Sequence, residues 1–228
     1  MLFRLFIILL FVIFYSIYFG KLHFLKGKQI KAVHLGQRKL YSKEKIAQQF
    51  MSGIAFSLVL YQIYKLFFDY HVDNRFYTLG IVIIILGIVI FGLSVSEMKD
   101  SWRVGFEKSD RTTLITKGIY AYSRNPAYLG FFLFNCGYLF LIGDAMMVLL
   151  ILVDTLSLHY LVLSEEKHLR KMFQKEYDTY YKKQDAIYKE YCILGFPYRY
   201  TKSFYLKAFC VYFHPSNLNT SQINKEVL

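Results

Sequence analysis

The sequence predicts an all-α integral membrane protein with about five transmembrane helices, the last two forming a helical hairpin that runs on into a cytoplasmic amphipathic helix. Three observations carry this expectation. The chain is 55% hydrophobic and 19% aromatic, with a mean hydropathy of +0.30. Several apolar runs approach the length that crosses about 30 Å of hydrocarbon. Lysine and arginine gather beside alternate ends of these runs: residues 20–45 carry eight, 98–125 six and 164–228 eleven, while the turns 69–77 and 143–144 hold only Arg75. Cytoplasmic loops keep such a basic excess, so the amino terminus is expected outside and the carboxyl terminus in the cytoplasm.

The first span, 2–19, follows Arg4. It reads as an uncleaved anchor, because its apolar part is long and no small-x-small cleavage site stands near Gly20. The second and third spans are expected over 46–68 and 78–97. Gly80, Gly87 and Gly92 in the third allow close helix approach, and Lys65 and Glu97 read as snorkelling groups at span ends. Residues 1–97 thus form a scaffold. From 98 to 117 the charge becomes mixed, with Lys99, Asp100, Arg103, Glu107, Lys108, Asp110 and Arg111 around Trp102, as in a cytoplasmic connection with a short interfacial helix. Thr112, Thr113, Thr116 and Gly118 then disfavour helix.

Pro126 suits the first turn of a helix, with Asn125 in the cap position, so the fourth span is expected over 126–143. Gly130 leaves room there for another helix or for a ligand. The fifth span, 145–163, joins the fourth through Gly143 and Asp144, which predicts a tight hairpin. Beyond it Leu169, Met172, Phe173, Tyr177, Tyr180 and Tyr181 alternate with Lys167, Arg170, Lys171 and Lys175, the pattern of an amphipathic helix. The expected regions are therefore 1–97, 98–203 and a tail over 204–228.

The net charge of +12 is explained by topology and anionic headgroups, which sets nucleic acid aside. Cys136, Cys192 and Cys210 show no metal-ligand spacing and the histidines are scattered, so no protein-bound metal is expected. Asp154 lies too deep in the fifth span to face lipid; it must meet protein or a polar cavity. Eleven residues separate it from Glu165, which at about 100° per residue returns to nearly the same helix face. A purely structural Asp154, packed against another span, fits the spacing equally.

Arg124, Glu165 and Glu166 are the remaining groups that call for a ligand or a partner. Adjacent helical residues point about 100° apart, so one glutamate can meet a ligand while the other pairs with Arg124 or the basic helix. A structural ion pair satisfies the same spacing.

The ordered elements Gly118 and Tyr120, then Arg124, Asn125, Pro126, Tyr128 and Gly130, then Glu165 and Glu166, then Tyr177 and Tyr180 resemble the isoprenylcysteine carboxyl methyltransferase family, within the phospholipid methyltransferase-like superfamily. The resemblance runs from about Ser101 to Tyr181. It implies a membrane enzyme that binds S-adenosylmethionine in a pocket made by the last two spans and the cytoplasmic segments beside them. Gly118, Tyr120, Arg124, Asn125, Pro126, Tyr128, Gly130, Glu165 and Glu166 would hold the cofactor, with Arg124, Glu165 and Glu166 also catalytic. The acceptor would be lipid-like or prenylated, entering from the bilayer, and its carboxyl O-methylated. N-methylation of a phospholipid amine is the nearest alternative. Two features depart from the family pattern: Asn125 replaces the commoner histidine, and the pair Arg199 and Tyr200 comes eighteen residues after Tyr181 instead of closely behind it. An NADPH-dependent reductase of the sterol-reductase type and a non-enzymatic transporter are the competing classes.

Overall fold

The structure is a computed structural model that describes residues 2–30, 42–70, 75–103 and 113–191. Glu107, Lys108, Asp110, Arg111, Cys192, Arg199, Tyr200, Cys210 and the expected tail lie outside these residues. Residues up to Gln184 belong to one compact unit. The described part of the second unit, 185–191, is the helical end of the last element.

Five α-helices follow one another: α1 Leu2–Gly27, α2 Ser42–Phe67, α3 Tyr77–Met98, α4 Pro126–Ile142 and α5 Ala145–Tyr191. Four are long and apolar enough to cross a membrane, and α4 is an apolar helix of 17 residues. At 1.5 Å per residue α4 spans about 26 Å, just under the hydrocarbon thickness. α1 runs well past the apolar stretch that predicts it, to a Schellman closure. Ile30 N–H bonds the Leu25 carbonyl and Gln29 N–H the Lys26 carbonyl, both at 2.9 Å, with Gln29 at φ 59°.

The core is centred on α1, α3 and α4, with Leu58 and Leu66 of α2 and Met147 and Ile151 of α5 joining it. Phe14 of α1 stacks on Phe134 of α4 with centroids 3.9 Å apart, and Tyr138 OH donates to the Ile7 carbonyl at 3.0 Å. Between α3 and α4 the backbones nearly touch. A Cβ added at Gly87 would lie 2.8 Å from the Gly130 carbonyl oxygen, and one at Gly137 would lie 2.7 Å from that of Gly80. Small residues allow this approach, and dispersion between closely set backbones is what holds helices together in lipid. Gly92 takes no part, its nearest neighbour being an Ile17 methyl at 3.7 Å.

The Gly143–Asp144 connection forms as expected. Asp144 caps α5 by accepting the Met147 N–H at 3.0 Å. The two helices it joins are not packed along their lengths, however; α4 packs on α3, and a cavity opens between α4 and α5. The glycine seam explains the preference, because α5 offers no glycine to match it.

Lys65 is not a snorkelling group. Its side chain is 8% exposed and bridges Asp69 at 2.5 Å and Asp144 at 3.3 Å, while Tyr61 OH donates to Asp144 at 2.6 Å. Burying an ammonium is costly, and the two carboxylates offset that cost here. Arg4 joins this end of the bundle by donating to the Phe67 carbonyl at 2.7 Å.

Candidate functional site

At the opposite end, the turn Gly118–Ala121 and the residues before α4 are held from both sides. Gly118 has φ +59°, and the Glu97 carboxylate occupies the place where a Cβ would stand. Only glycine meets both demands. Tyr120 is buried. Its carbonyl accepts from Tyr180 OH at 2.7 Å and from Gln184 Nε2 at 2.9 Å, and Gln184 also bonds the Ala121 carbonyl at 2.6 Å. Burial, and then the nearby Tyr180, Glu165 and Glu97, push the Tyr120 hydroxyl well above its ordinary pKa, so it stays protonated at physiological pH.

Tyr180 and Gln184 reach the turn because α5 bends. The helix passes through Glu165 and Glu166 to Gln174, where φ 43° and ψ −117° break the helical path, and a second helical segment follows. Tyr177, Tyr180 and Gln184 on that segment are buried against the rest of the molecule, so the apolar face of the expected amphipathic helix packs on protein.

Pro126 opens α4 as expected, and Asn125 occupies the cap position without a capping bond. Its side chain instead donates to Glu166 Oε1 at 3.4 Å, while its own N–H is accepted by Ser123 Oγ at 3.3 Å. Arg124 Nε donates to the same Glu166 oxygen at 2.9 Å, the two side chains being 10% and 16% exposed. The Arg124 guanidinium also stacks over the Tyr181 ring at 4.2 Å. Glu165 points elsewhere: Tyr128 OH donates to its Oε1 at 2.7 Å. The two glutamates therefore divide, Glu166 toward Arg124 and Asn125 and Glu165 toward Tyr128.

A cavity of about 460 Å³ begins here and continues between the helices. Its polar end is lined by Tyr120, Arg124, Asn125, Tyr128, Glu165 and His168. Its long wall is apolar, with Phe19, Met51, Phe56, Val59, Phe131 and Leu158 among its residues. Glu166 lies behind Arg124, Pro126 starts the helix, Gly118 shapes the turn, and Gly130 faces α3, where a Cβ would meet the Phe91 backbone nitrogen at 2.8 Å. Gly130 thus serves helix packing.

Several lining residues escaped the sequence reading. Trp102 and Arg103 close the polar end. Arg103 Nη1 bonds the carbonyls of Asp100 at 2.7 Å and Trp102 at 2.8 Å, and its buried Nε has no hydrogen-bond partner among the described residues. α1 and α2 contribute Tyr15, Tyr18 and Met51, so the pocket is not the work of the last two spans alone. Asn135, a polar residue inside an apolar span, carried the same kind of signal as Asp154 and could have been singled out.

The chemistry open to this arrangement is defined by its donor set. A guanidinium and an orphaned Arg103 Nε suit a carboxylate; Glu165 and the tyrosine faces suit a cation or sugar hydroxyls. These residue types fit the S-adenosylmethionine that the sequence resemblance implies.

Residues 76–176 match the family described as Phospholipid methyltransferase. The chain is also 39% identical over 71 residues to the Protein-S-isoprenylcysteine O-methyltransferase of Schizosaccharomyces pombe, a stretch covering 31% of this chain. That match spans 30% of the length of the curated relative. No solved structure matches the chain.

Proposed function

We propose that this chain, whose residues 76–176 match the phospholipid methyltransferase family, is an integral-membrane methyltransferase that uses S-adenosylmethionine to methylate an amphiphile, by first choice the carboxyl group of an isoprenylcysteine. One observation carries the reading: a single cavity joins a charged, tyrosine-rich mouth to an apolar channel between helices, the shape needed to bring a polar cofactor and a lipid tail together.

S-adenosylmethionine, when bound, supplies a methyl group on a sulfonium, open to direct displacement by a nucleophile in line with it. Arg124 offers positive charge to a carboxylate, and Glu166 acts as a positioning residue by fixing the guanidinium from behind. Glu165, held by Tyr128, presents an acceptor for hydroxyls or an ammonium. The Tyr180 and Gln184 bonds fix the Tyr120 turn at the mouth, and alignment and exclusion of water would be the protein's contributions. Asn125 cannot titrate near neutral pH, so it orients Glu166 and transfers no proton.

A carboxylate acceptor needs no base. An amine acceptor does, and the family's description favours that second reading, with Glu165 available to take the proton. The test is calorimetric titration of detergent-purified protein with S-adenosylmethionine and NADPH, followed by methyl transfer to N-acetyl-S-farnesylcysteine and to phosphatidylethanolamine. S-adenosylmethionine binding that is lost in Arg124→Ala, Glu165→Ala and Glu166→Ala is expected. Unchanged binding in all three would refute the site, NADPH binding alone would favour a reductase, and no binding of either would favour a transporter.

The site end is assigned to the cytoplasm. Lys26, Lys28, Lys99, Arg103, Lys117, Arg124 and Lys167 all lie at the end of the bundle that carries the cavity mouth, whereas Arg4, Lys65 and Arg75 lie at the other. This distribution, read by the positive-inside rule, supports a mouth that faces the cytoplasm, where S-adenosylmethionine is available.

A further inference from the structure

We infer that the membrane-embedded part of the cavity is built to recognise a second polar group, a hydroxyl carried on the tail of the amphiphile, with Asp154 as its hydrogen-bond acceptor. This inference rests on the reading that an amphiphile occupies the cavity.

Asp154 stands eleven residues before Glu165 on α5, about 16 Å along the helix axis at 1.5 Å per residue. It is 6% exposed and lines the cavity, and no side chain among the described residues hydrogen-bonds it. Three further polar groups line this part of the cavity or stand directly behind its wall. Tyr15 of α1 is within electrostatic reach of the carboxylate and lines the cavity. Asn135 of α4 also lines it, and accepts a bond from Gln62 Nε2 of α2 at 2.9 Å. Gln62 is fully buried and its Oε1 has no hydrogen-bond partner among the described residues.

Three helices therefore each place a polar side chain, Tyr15, Asn135 and Asp154, on a cavity wall otherwise rich in phenylalanine, methionine, valine and leucine, with Gln62 of α2 bonded to Asn135. A plain hydrocarbon tail would be better served by leucine at these positions, since a buried carboxyl without a partner disfavours whatever packs against it. The stereochemistry of the group selects the ligand. Gln62 engages the Asn135 oxygen, so the Asn135 amide has its hydrogens to offer, while Asp154 offers lone pairs. A hydroxyl both donates and accepts and completes the set; an ammonium would meet the Asn135 hydrogens unfavourably. The distance from Glu165 puts this hydroxyl in the far half of a farnesyl-length tail.

The experiment compares N-acetyl-S-farnesylcysteine with its counterpart hydroxylated on the terminal isoprene unit, using full-length protein in detergent. Binding is read from the fluorescence of Trp102, the single tryptophan, which lines the cavity. The wild type should bind the hydroxylated compound at least about tenfold tighter. Asp154→Leu should erase or invert that preference, and Asp154→Asn, which keeps shape and polarity, should reduce it. Equal affinity in the wild type, or a preference that survives in a folded variant, would overturn the inference, as would failure of both compounds to bind. Should Asp154→Leu not fold, Asp154→Asn decides: an undiminished preference refutes the role of Asp154. Methyl transfer without preference removes only the subsite. Preference without methyl transfer removes only the methyltransferase reading.

Discussion

Glu165 and Glu166 occupy different surroundings because a helix turns about 100° between them. One carboxylate holds Arg124 and Asn125; the other is held by Tyr128 and faces the cavity. The two should therefore fail differently. Glu166→Gln removes the charge from the bond that holds a largely buried guanidinium, and a charge-assisted bond of this kind is worth about 1.5–3 kcal/mol. S-adenosylmethionine binding by calorimetry should weaken about 10- to 100-fold, the equivalent of that energy. Tyr128→Phe removes a single hydroxyl and leaves Glu165 charged, so a smaller loss, under about tenfold, is expected. A Tyr128→Phe effect exceeding that of Glu166→Gln would reverse this division of labour.

Between elements, the seam of α3 and α4 makes a prediction with opposite signs at two glycines. Replacing a helical glycine with alanine gains about 1 kcal/mol in propensity. At Gly92 nothing opposes the gain, and Gly92→Ala should leave the melting temperature unchanged or raised. At Gly87 the new Cβ would stand 2.7 Å from the Phe134 backbone nitrogen, an atom that cannot yield without separating the helices. Gly87→Ala should lower the melting temperature by several degrees in the same thermal-shift assay.

The bridge from α2 to the α4–α5 connection is sensitive to acid. The Tyr61 hydroxyl, the Met147 N–H and Lys65 hold the Asp144 carboxyl below its ordinary range. A depressed folded pKa adds stability above the ordinary value of about 3.9 and loses it as pH falls through the folded value. Asp144→Asn should thus melt below the wild type at pH 7, with the gap closing below about pH 4. A gap independent of pH would assign the loss to geometry alone.

For the whole molecule, the segregation of charge predicts sidedness. Single cysteines at Lys28 and Lys171, in a background lacking Cys136, Cys192 and Cys210, should react with a membrane-impermeant maleimide only from the cytoplasmic face, and one at Asp69 only from the other. The reverse pattern would turn the protein over and separate the cavity mouth from cytosolic cofactor.

What the sequence determined by itself was whatever depends on local composition and order. Apolar length set the helices and alternating basic clusters set the expected sidedness; Pro126 set the start of α4 and the Gly143–Asp144 pair the turn after it. The ordered run from Gly118 to Tyr180 pointed to Arg124 and the glutamates, which the fold does bring together. Tertiary structure decided what depends on how nearly uniform apolar helices rotate about their own axes. An evenly hydrophobic helix carries no periodic mark of its buried face, so although Gly80, Gly87 and Gly130 signalled a close approach, neither the pairing of α3 with α4 nor the entry of Tyr15 and Met51 into the cavity wall was legible. The bend at Gln174, a residue with no special backbone freedom, goes with the bonds that Tyr180 and Gln184 make to the Tyr120 turn. Long-range bonds of that kind leave no trace in neighbouring residues, and they are what turn a row of helices into a closed site.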